Sequence, residues 1–281
     1  MLKTRVLTAI VLIPLVLAAL FGLDTRSWGL LTLLIVAVAA SEWARLAGFR
    51  APGSLLFVSA TIVIGLGLLF LPAGGFAAGS GWPESIVLLV CGSATVFWLL
   101  IIPPWLYLGW RVTSGVVLAA IGWLVLVATW MAVVQIQARS PGMLLALMAI
   151  VWIADTAAYF AGRRFGRRKL APAISPGKTW EGVYGALFAV GTYALVLLPL
   201  AARSGYAQAL SVGAVVAWVA LVLLLAAMSV TGDLFESLLK RQRGVKDSGH
   251  VLPGHGGVLD RIDALTAAMP AAALVAHYLI R

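Results

Sequence analysis

Charged residues are scarce in this chain, since only 11% of its 281 residues are Asp, Glu, Lys or Arg. A soluble domain of this length would carry roughly a quarter. Hydrophobic residues take their place at 62%, and the mean hydropathy is +1.04. Because the apolar runs are long and continuous, they indicate membrane-spanning helices and exclude barrel strands, in which apolar and polar residues alternate.

Cysteine and acidic residues are also few. The single cysteine, Cys91, lies in an apolar run, which excludes a disulfide framework. Ten acidic residues stand against 20 basic ones, giving a net charge of +10. In a membrane protein, basic residues usually mark cytoplasmic loops and contacts with anionic headgroups, so nucleic acid is not expected as a partner.

The apolar sequence divides into nine candidate spans, because a helix needs about 20 residues to cross the hydrocarbon. The first run follows two basic residues as in a signal peptide, but more apolar sequence follows it, which predicts a retained helix. Turn-forming stretches are expected to separate the spans, namely APGS at 51–54, PAGGFAAGSGWP at 72–83, PP at 103–104 and SPG at 140–142. The predicted spans are 6–22, 28–41, 55–71, 85–102, 115–134, 143–160, 183–201, 209–232 and about 258–280.

The basic residues predict the topology. With the N-terminus in the cytoplasm and nine alternating spans, 16 of the 20 basic residues fall on the cytoplasmic side, in line with the positive-inside rule. Those on the opposite side are Arg26, Arg139, Arg203 and Arg281. We therefore predict an all-α, polytopic integral membrane protein with about nine transmembrane helices and a cytoplasmic N-terminus.

Acidic residues are concentrated late in the chain, where seven of the ten follow residue 150. Two long polar segments, 161–182 and 233–262, also lie there, and both fall on the predicted cytoplasmic side. We predict that residues 143–281 form a catalytic transmembrane region that carries these segments. Residues 1–142, with about five helices, are predicted to be a scaffold.

Two pairs of acids lie where predicted helices end or begin on that side. Asp233 and Glu236 are one turn apart after the eighth span, and Asp260 and Asp263 lie in the first turn of the ninth. Helix capping by Asp and snorkelling to water are the ordinary alternatives. Carboxylates that converge from two helices suit Mg²⁺, and nearby lysines and arginines could neutralise phosphate charge. The pattern therefore favours phosphoryl or nucleotidyl transfer.

Three other patterns suggest chemistry. ISPGKTWEG (174–182) ends like a P-loop, but Pro172 stands where a Walker A motif needs glycine. His250 and His255 lack the glutamate arrangement of a zinc protease, so no zinc site is expected. Asp155 lies inside the sixth span, where a charge is costly, and is expected to line a polar cavity.

Residues 237–263, SLLKRQRGVKDSGHVLPGHGGVLDRID, closely resemble the signature of the phosphatidate cytidylyltransferase family. DTAAYFAGRRFG and SPGKTWEG resemble the family's other cytoplasmic segment. The resemblance covers about residues 150–281, whereas 1–149 match in hydrophobic pattern alone. Ala264 departs from it, since many members have serine there. The resemblance implies that CTP and phosphatidic acid react, with Mg²⁺, to give CDP-diacylglycerol and pyrophosphate.

The resemblance also implies roles for single residues. Asp233 and Asp260 would be the chief metal ligands. Asp263, also assigned to the metal, and Asp247 would hold a second cation or orient a lysine. Clamps for phosphate would be Lys240, Arg241, Lys246 and Arg261. The other predicted substrate contacts are Asp155, Ser175, Lys178, Thr179 and His255, the last of which would bind a phosphate or shape its loop.

The expected partners are CTP, phosphatidic acid and membrane lipid, and a homodimer is compatible with the sequence. With no mitochondrial-type presequence, the chain is predicted to lie in a bacterial inner membrane with its site facing the cytoplasm. A CDP-alcohol phosphotransferase would space two aspartates four apart, whereas here they are three apart. A transporter would place charges near the bilayer midplane, and a structural anchor would not need carboxylates packed among cations.

Overall fold

The computed structural model describes residues 2–72, 75–203, 211–251, 254 and 256–279. The elements are long helices and one antiparallel two-stranded hairpin. In chain order they are α1 (Leu2–Gly22), α2 (Thr25–Ala47), α3 (Ala51–Phe70), α4 (Glu84–Val96), a π-helical turn (Phe97–Ile101), α5 (Ile102–Leu108), α6 (Gly115–Arg139), α7 (Pro141–Phe165), β1 (Lys169–Ala171), β2 (Ser175–Thr179), α8 (Trp180–Arg203), α9 (Val212–Gln242) and α10 (Leu259–Leu279).

The helices present large apolar surfaces outward, as expected for a protein surrounded by lipid. Leu55, Leu89 and Phe188 are among many large apolar side chains that are at least 70% exposed. A soluble monomer rarely exposes so much contiguous apolar surface. Seven helices in the described part of the chain are long and apolar enough to cross a membrane. The protein is therefore a mostly helical, multi-pass membrane protein, while the count of nine spans and the cytoplasmic N-terminus stay predictions.

The second helix is longer than the span predicted from the sequence, 28–41, and its ends are set by two capping residues. It covers Thr25–Ala47 and begins at Asp24, whose carboxylate accepts hydrogen bonds from two backbone N–H groups. It ends at Gly48, which adopts a φ of 75°, a conformation that glycine allows. This extension places Glu42 inside the helix.

The break predicted at PP 103–104 is wrong, because helix continues from Glu84 to Leu108. The turn Phe97–Ile101 is π-helical, and the two prolines fall in the first turn of α5. Proline is tolerated in a first turn because its missing N–H would have no partner there. The wider π-helical turn before it lets the chain continue without a loop.

Helix α9, which corresponds to the eighth predicted span, likewise extends beyond the predicted end at residue 232. Apolar residues recur at helical spacing through Leu234, Leu238 and Leu239, so the amphipathic pattern carries α9 on to Gln242. Gly244, with a φ of 69°, follows its end. Asp233, at the start of the predicted polar segment 233–262, thus lies within α9.

The ends of the helices meet in two groups, which match the two sides of the predicted topology. In one group, Arg45 donates to the carbonyl of Asp247, and Gln242 donates to that of Trp110. In the other, Gln137 of α6 donates to the carbonyl of Leu23. The alternation of the helices is therefore consistent with the prediction, which leaves open the side that faces the cytoplasm.

Helices from both predicted regions pack around α10, which contacts α4, α6, α7 and α9. An aromatic cluster supports α9 from the other side. The ring of Phe235 lies 5.6 Å from that of Trp98 and 5.3 Å from that of Trp105. This packing fixes the part of α9 that carries the acidic residues.

Candidate functional site

The first feature of the site is an ion pair between α9 and the hairpin. Lys178 Nζ on β2 lies 2.7 Å from Asp233 Oδ2, and the two side chains are 25% and 31% exposed. Ser237, one turn along α9, donates to Asp233 Oδ1 at 3.2 Å. Asp233 is therefore an accessible carboxylate whose partner in this structure is the ammonium group of Lys178.

The second feature is a buried lysine that joins α9 to α10. Lys240 Nζ lies 2.5 Å from Glu236 Oε2 and 2.6 Å from Asp260 Oδ1. The lysine side chain is 11% exposed, and those of Glu236 and Asp260 are 5% and 6% exposed. Charges removed from water in this way depend on each other, because losing one partner leaves another uncompensated.

Asp260 also fixes the loop that precedes α10. Its Oδ2 accepts hydrogen bonds from the backbone N–H groups of Ser248 at 2.9 Å and Gly257 at 2.8 Å. Both oxygens of this carboxylate are thus engaged by protein donors. Neither N–H group belongs to α10, so Asp260 fixes the preceding loop and does not cap its own helix, and its metal-ligand role stays a prediction.

Asp155 lies within electrostatic range of Asp233, and Asp263 lies within range of both Asp233 and Lys240. The charge of Asp233 acts directly on the carboxyl groups of Asp155 and Asp263. At Gly232 the two helices touch, since a Cβ there would lie 2.5 Å from the carbonyl oxygen of Asp263. In the part of the chain that the structure describes, no three His, Cys, Asp or Glu side chains converge closely enough to form a ready-made metal site. The carboxylates are neighbours but not a preformed cage.

The hairpin that carries Lys178 is fixed at both ends. Arg241 Nε donates to the carbonyl of Ile174 at 3.2 Å, which ties the hairpin to α9. The carboxylate of Glu181, at the start of α8, accepts from the backbone N–H groups of Arg167 and Arg168. Lys178 is therefore positioned by two helices.

Thr179, predicted to contact substrate, is buried at the start of α8. Its Oγ1 accepts the N–H of Gly182 at 3.2 Å, a helix-capping bond. The side chain also fills the space beside Gly166, where a Cβ would lie within 3 Å of it. Its contact with substrate stays a prediction, and capping is the role visible here.

The remaining predicted residues are spread over the surface around these pairs. Arg241, Lys246, Asp247 and Arg261 are exposed and Ser175 is half-buried. The charge of Arg261 also acts on Asp155. His255 lies outside the described residues. The structure thus pairs Lys178 with Asp233 and Lys240 with Asp260, and Asp263 lies within electrostatic range of both lysines.

A basic cavity of about 430 Å³ lies beside the hairpin. Its lining consists of Arg164, Phe165, Gly166, Arg167 and Glu181. The acids of the two groups do not line it, so it is a neighbour of the site and not its centre.

Sequence reasoning missed Glu42, on α2, far from the motif in the chain. The carboxylate is buried and binds the loop before α10 through Ser248, Val258 and Leu259. An available signal was that Glu42 is an acid near the end of an apolar span, as Asp233 is. The scaffold region therefore contributes directly to the geometry of the site.

Glycines allow the two carboxylates to approach this loop. A Cβ on Gly249 would lie 2.0 Å from Glu42 Oε1, and one on Gly257 would lie 2.2 Å from Ser248 Oγ. At Gly256, which has a φ of 82°, a Cβ would lie 2.9 Å from Asp260 Oδ2. These three glycines are thus explained by the space that the acids and Ser248 occupy.

Comparison with known proteins identifies the family of this chain. Residues 3–279 match the model of the cytidylyltransferase family. A phosphatidate cytidylyltransferase of Pseudomonas aeruginosa is 39% identical over 279 residues, covering 96% of this chain and 95% of that protein. One of Haemophilus influenzae is 38% identical over 284 residues, covering 96% of each. The match extends over α1–α6 as well as over the motif, and on these findings the chain belongs to the cytidylyltransferase family.

Proposed function

We propose that this chain transfers the cytidylyl group of CTP to phosphatidate, forming CDP-diacylglycerol and pyrophosphate. An oxygen of the lipid phosphate attacks the α-phosphorus of CTP while the bond to the bridging oxygen of the β-phosphate breaks. Pyrophosphate carries away that oxygen and its electron pair. Membership in the family and two relatives of nearly equal length that bear the name phosphatidate cytidylyltransferase support the reaction.

The observation that carries the proposal is the accessible pair of Lys178 and Asp233 at one end of an apolar bundle. Phosphatidate stays in the lipid and CTP comes from water, so the reaction needs polar groups where the helices end. Asp155 and Asp263 lie within electrostatic range of both members of the pair. Cations and carboxylates together can hold a metal and neutralise phosphate oxygens.

Mg²⁺ fits the residues present, because Asp233 already binds a cation, the ammonium group of Lys178. Mg²⁺ commonly binds through one or two carboxylates, with substrate phosphates and waters as the other ligands, so a complete protein cage is unnecessary. We assign Asp233 and Asp263 to hold it. Asp260 stays a predicted further ligand, and Asp263 and Asp247 stay the residues predicted to hold a second cation or orient a lysine. When bound, Mg²⁺ neutralises charge on the reacting phosphates.

The chain's own cations orient the substrates. Lys178, released from Asp233, binds a phosphate oxygen, and Arg261 lies on the same side of the site. Arg241 and Lys246 are exposed near the end of α9, where they can bind the leaving pyrophosphate. The attacking lipid phosphate is already anionic near neutral pH, so no general base is required.

The expected location is a bacterial inner membrane, since the relatives compared are bacterial. The basic residues on one side of the predicted topology support a site that faces the cytoplasm. They also attract the anionic substrates. A homodimer remains a prediction, which the mass of the purified protein in detergent would test.

The decisive experiment supplies purified protein in lipid with phosphatidate, labelled CTP and Mg²⁺. We expect labelled CDP-diacylglycerol that vanishes with EDTA and returns with added Mg²⁺. Absence of product from folded protein would refute the reaction. Product that persists in EDTA would refute the metal assignment alone.

A further inference from the structure

A buried carboxylate near the end of α2 connects the first helices to the motif. Glu42 is 4% exposed. Its Oε2 accepts from Ser248 Oγ at 3.0 Å and from the N–H of Leu259 at 2.7 Å. Its Oε1 accepts from the N–H of Val258 at 3.1 Å. All three partners donate, and two of them, Val258 and Leu259, lie at the start of α10, so the site suits a side chain that only accepts hydrogen bonds.

These bonds continue to Asp260. The hydroxyl of Ser248 that donates to Glu42 also accepts the N–H of Asp260 at 3.3 Å. The N–H of Ser248 donates to Asp260 Oδ2 at 2.9 Å, and Asp260 Oδ1 binds Lys240 of α9. A chain of polar contacts thus runs from α2 through the loop and α10 to α9. Removing its first member would free the start of α10.

We propose that Glu42 is a positioning residue for the reaction: it sets the first turn of α10, and with it Asp260 and Asp263, relative to Asp233. This proposal rests on the proposed function. Glu42 touches no substrate, because the loop and α10 cover it. Small displacements of reacting groups cost much rate, about 100-fold for 1 Å. Glu42 would therefore act on turnover through the two aspartates.

A purely structural cap is the alternative, and the same helix provides a matched control. Asp24, at the other end of α2, accepts from the N–H groups of Arg26 and Ser27 and from the hydroxyl of Ser27. Both carboxylates therefore bind two backbone N–H groups and one serine hydroxyl. Asp24 lies in the group of helix ends opposite the site, so its loss tests capping without positioning.

The test compares Glu42→Gln, Glu42→Asp and Asp24→Asn as full-length proteins in lipid. Glutamine presents an NH₂ group to donors that need an acceptor, whereas aspartate keeps the charge on a shorter arm. For Glu42→Gln we expect kcat per folded protein to fall by about 10–100-fold, as for residues that support ligands. The Mg²⁺ concentration for half-maximal rate should rise, and KM for CTP should change by less than about twofold because nucleotide contacts remain. Glu42→Asp should recover part of kcat, and Asp24→Asn should keep kcat and the Mg²⁺ requirement.

A structural role alone would lower the folded fraction and leave the Mg²⁺ requirement unchanged. An unchanged Mg²⁺ requirement in Glu42→Gln would therefore overturn the proposal. If that variant does not fold, Ser248→Ala removes one bond of the same chain and must shift the Mg²⁺ requirement in the same direction. A normal requirement in Ser248→Ala would likewise refute it. Failure of the unmodified protein to make CDP-diacylglycerol would instead refute the proposed function.

Discussion

The site has an open half and a closed half, each built around one lysine. Lys178 has one acidic partner, Asp233, and both side chains reach solvent. Lys240 has two acidic partners, Glu236 and Asp260, and all three are nearly buried. In the open half, Asp233 can exchange Lys178 for a metal ion, and Lys178 can then bind a phosphate. In the closed half, every carboxylate oxygen has a protein partner except the buried Glu236 Oε1.

This difference distinguishes the residues of the site that are available for the reaction from those that hold the fold together. An ion pair that remains partly in water contributes about 0–1 kcal/mol to stability, so its residues are available for function. Removing one partner of a buried ion pair destabilises the protein by about 3–5 kcal/mol, because the other charge is left uncompensated. We therefore expect mutations in the open half to affect turnover and those in the closed half to affect folding as well.

The largest effect is expected for Asp233→Asn. Loss of the charge that holds the metal should reduce turnover by about 1000-fold or more. The thermal unfolding temperature should stay close to that of the unmodified protein, because the side chain is accessible. Turnover per folded protein, measured as labelled CDP-diacylglycerol, checks this. Ser237→Ala, which removes a hydroxyl bonded to Asp233, serves as the milder comparison at about tenfold. Turnover near normal in Asp233→Asn would remove it from the metal site.

Replacing each lysine by methionine tests the comparison directly. Lys240→Met leaves Glu236 and Asp260 without their cation and should cost about 3–5 kcal/mol of stability. Lys178→Met should cost less than about 1 kcal/mol and lose most of the turnover. Thermal unfolding in detergent, read beside turnover per folded protein, separates the two effects. Equal losses of stability in both variants would show that the halves do not differ as described.

The smallest effect is expected for Thr179→Val. Valine keeps the shape beside Gly166 but cannot accept the N–H of Gly182, so about 1 kcal/mol of stability should be lost. If capping is its whole role, KM for CTP and for phosphatidate stays unchanged. A several-fold rise in either KM would restore Thr179 to the substrate site, as the sequence predicted.

Much of the fold could be predicted because hydrophobicity and charge sign act locally. Continuous apolar runs located the helices, and Ser140 and Pro141 mark a boundary that the structure confirms between α6 and α7. Helix ends were less accurate. The extension of α9 depends on apolar residues interleaved with charges, and the prolines of α5 are accommodated by a π-helical turn that has no simple sequence signal.

The site could be predicted in part for the same reason. The motif identified the acids and lysines, but only packing determines which lysine binds which acid. Lys178 and Asp233 are separated by 54 positions, and Glu42 lies more than 200 residues from the loop it binds. Contacts of that range depend on how the helices assemble, so neither spacing nor charge pattern could pair them.

The glycines at 249 and 257 have a consequence for how the motif tolerates variation. Each stands where a side chain would overlap the carboxylate of Glu42 or the hydroxyl that it binds. Such residues restrict sequence change although they carry no reactive group. In a saturation library of this loop, the two glycines would be as intolerant of substitution as the aspartates, and Glu42 on a distant helix would be the reason.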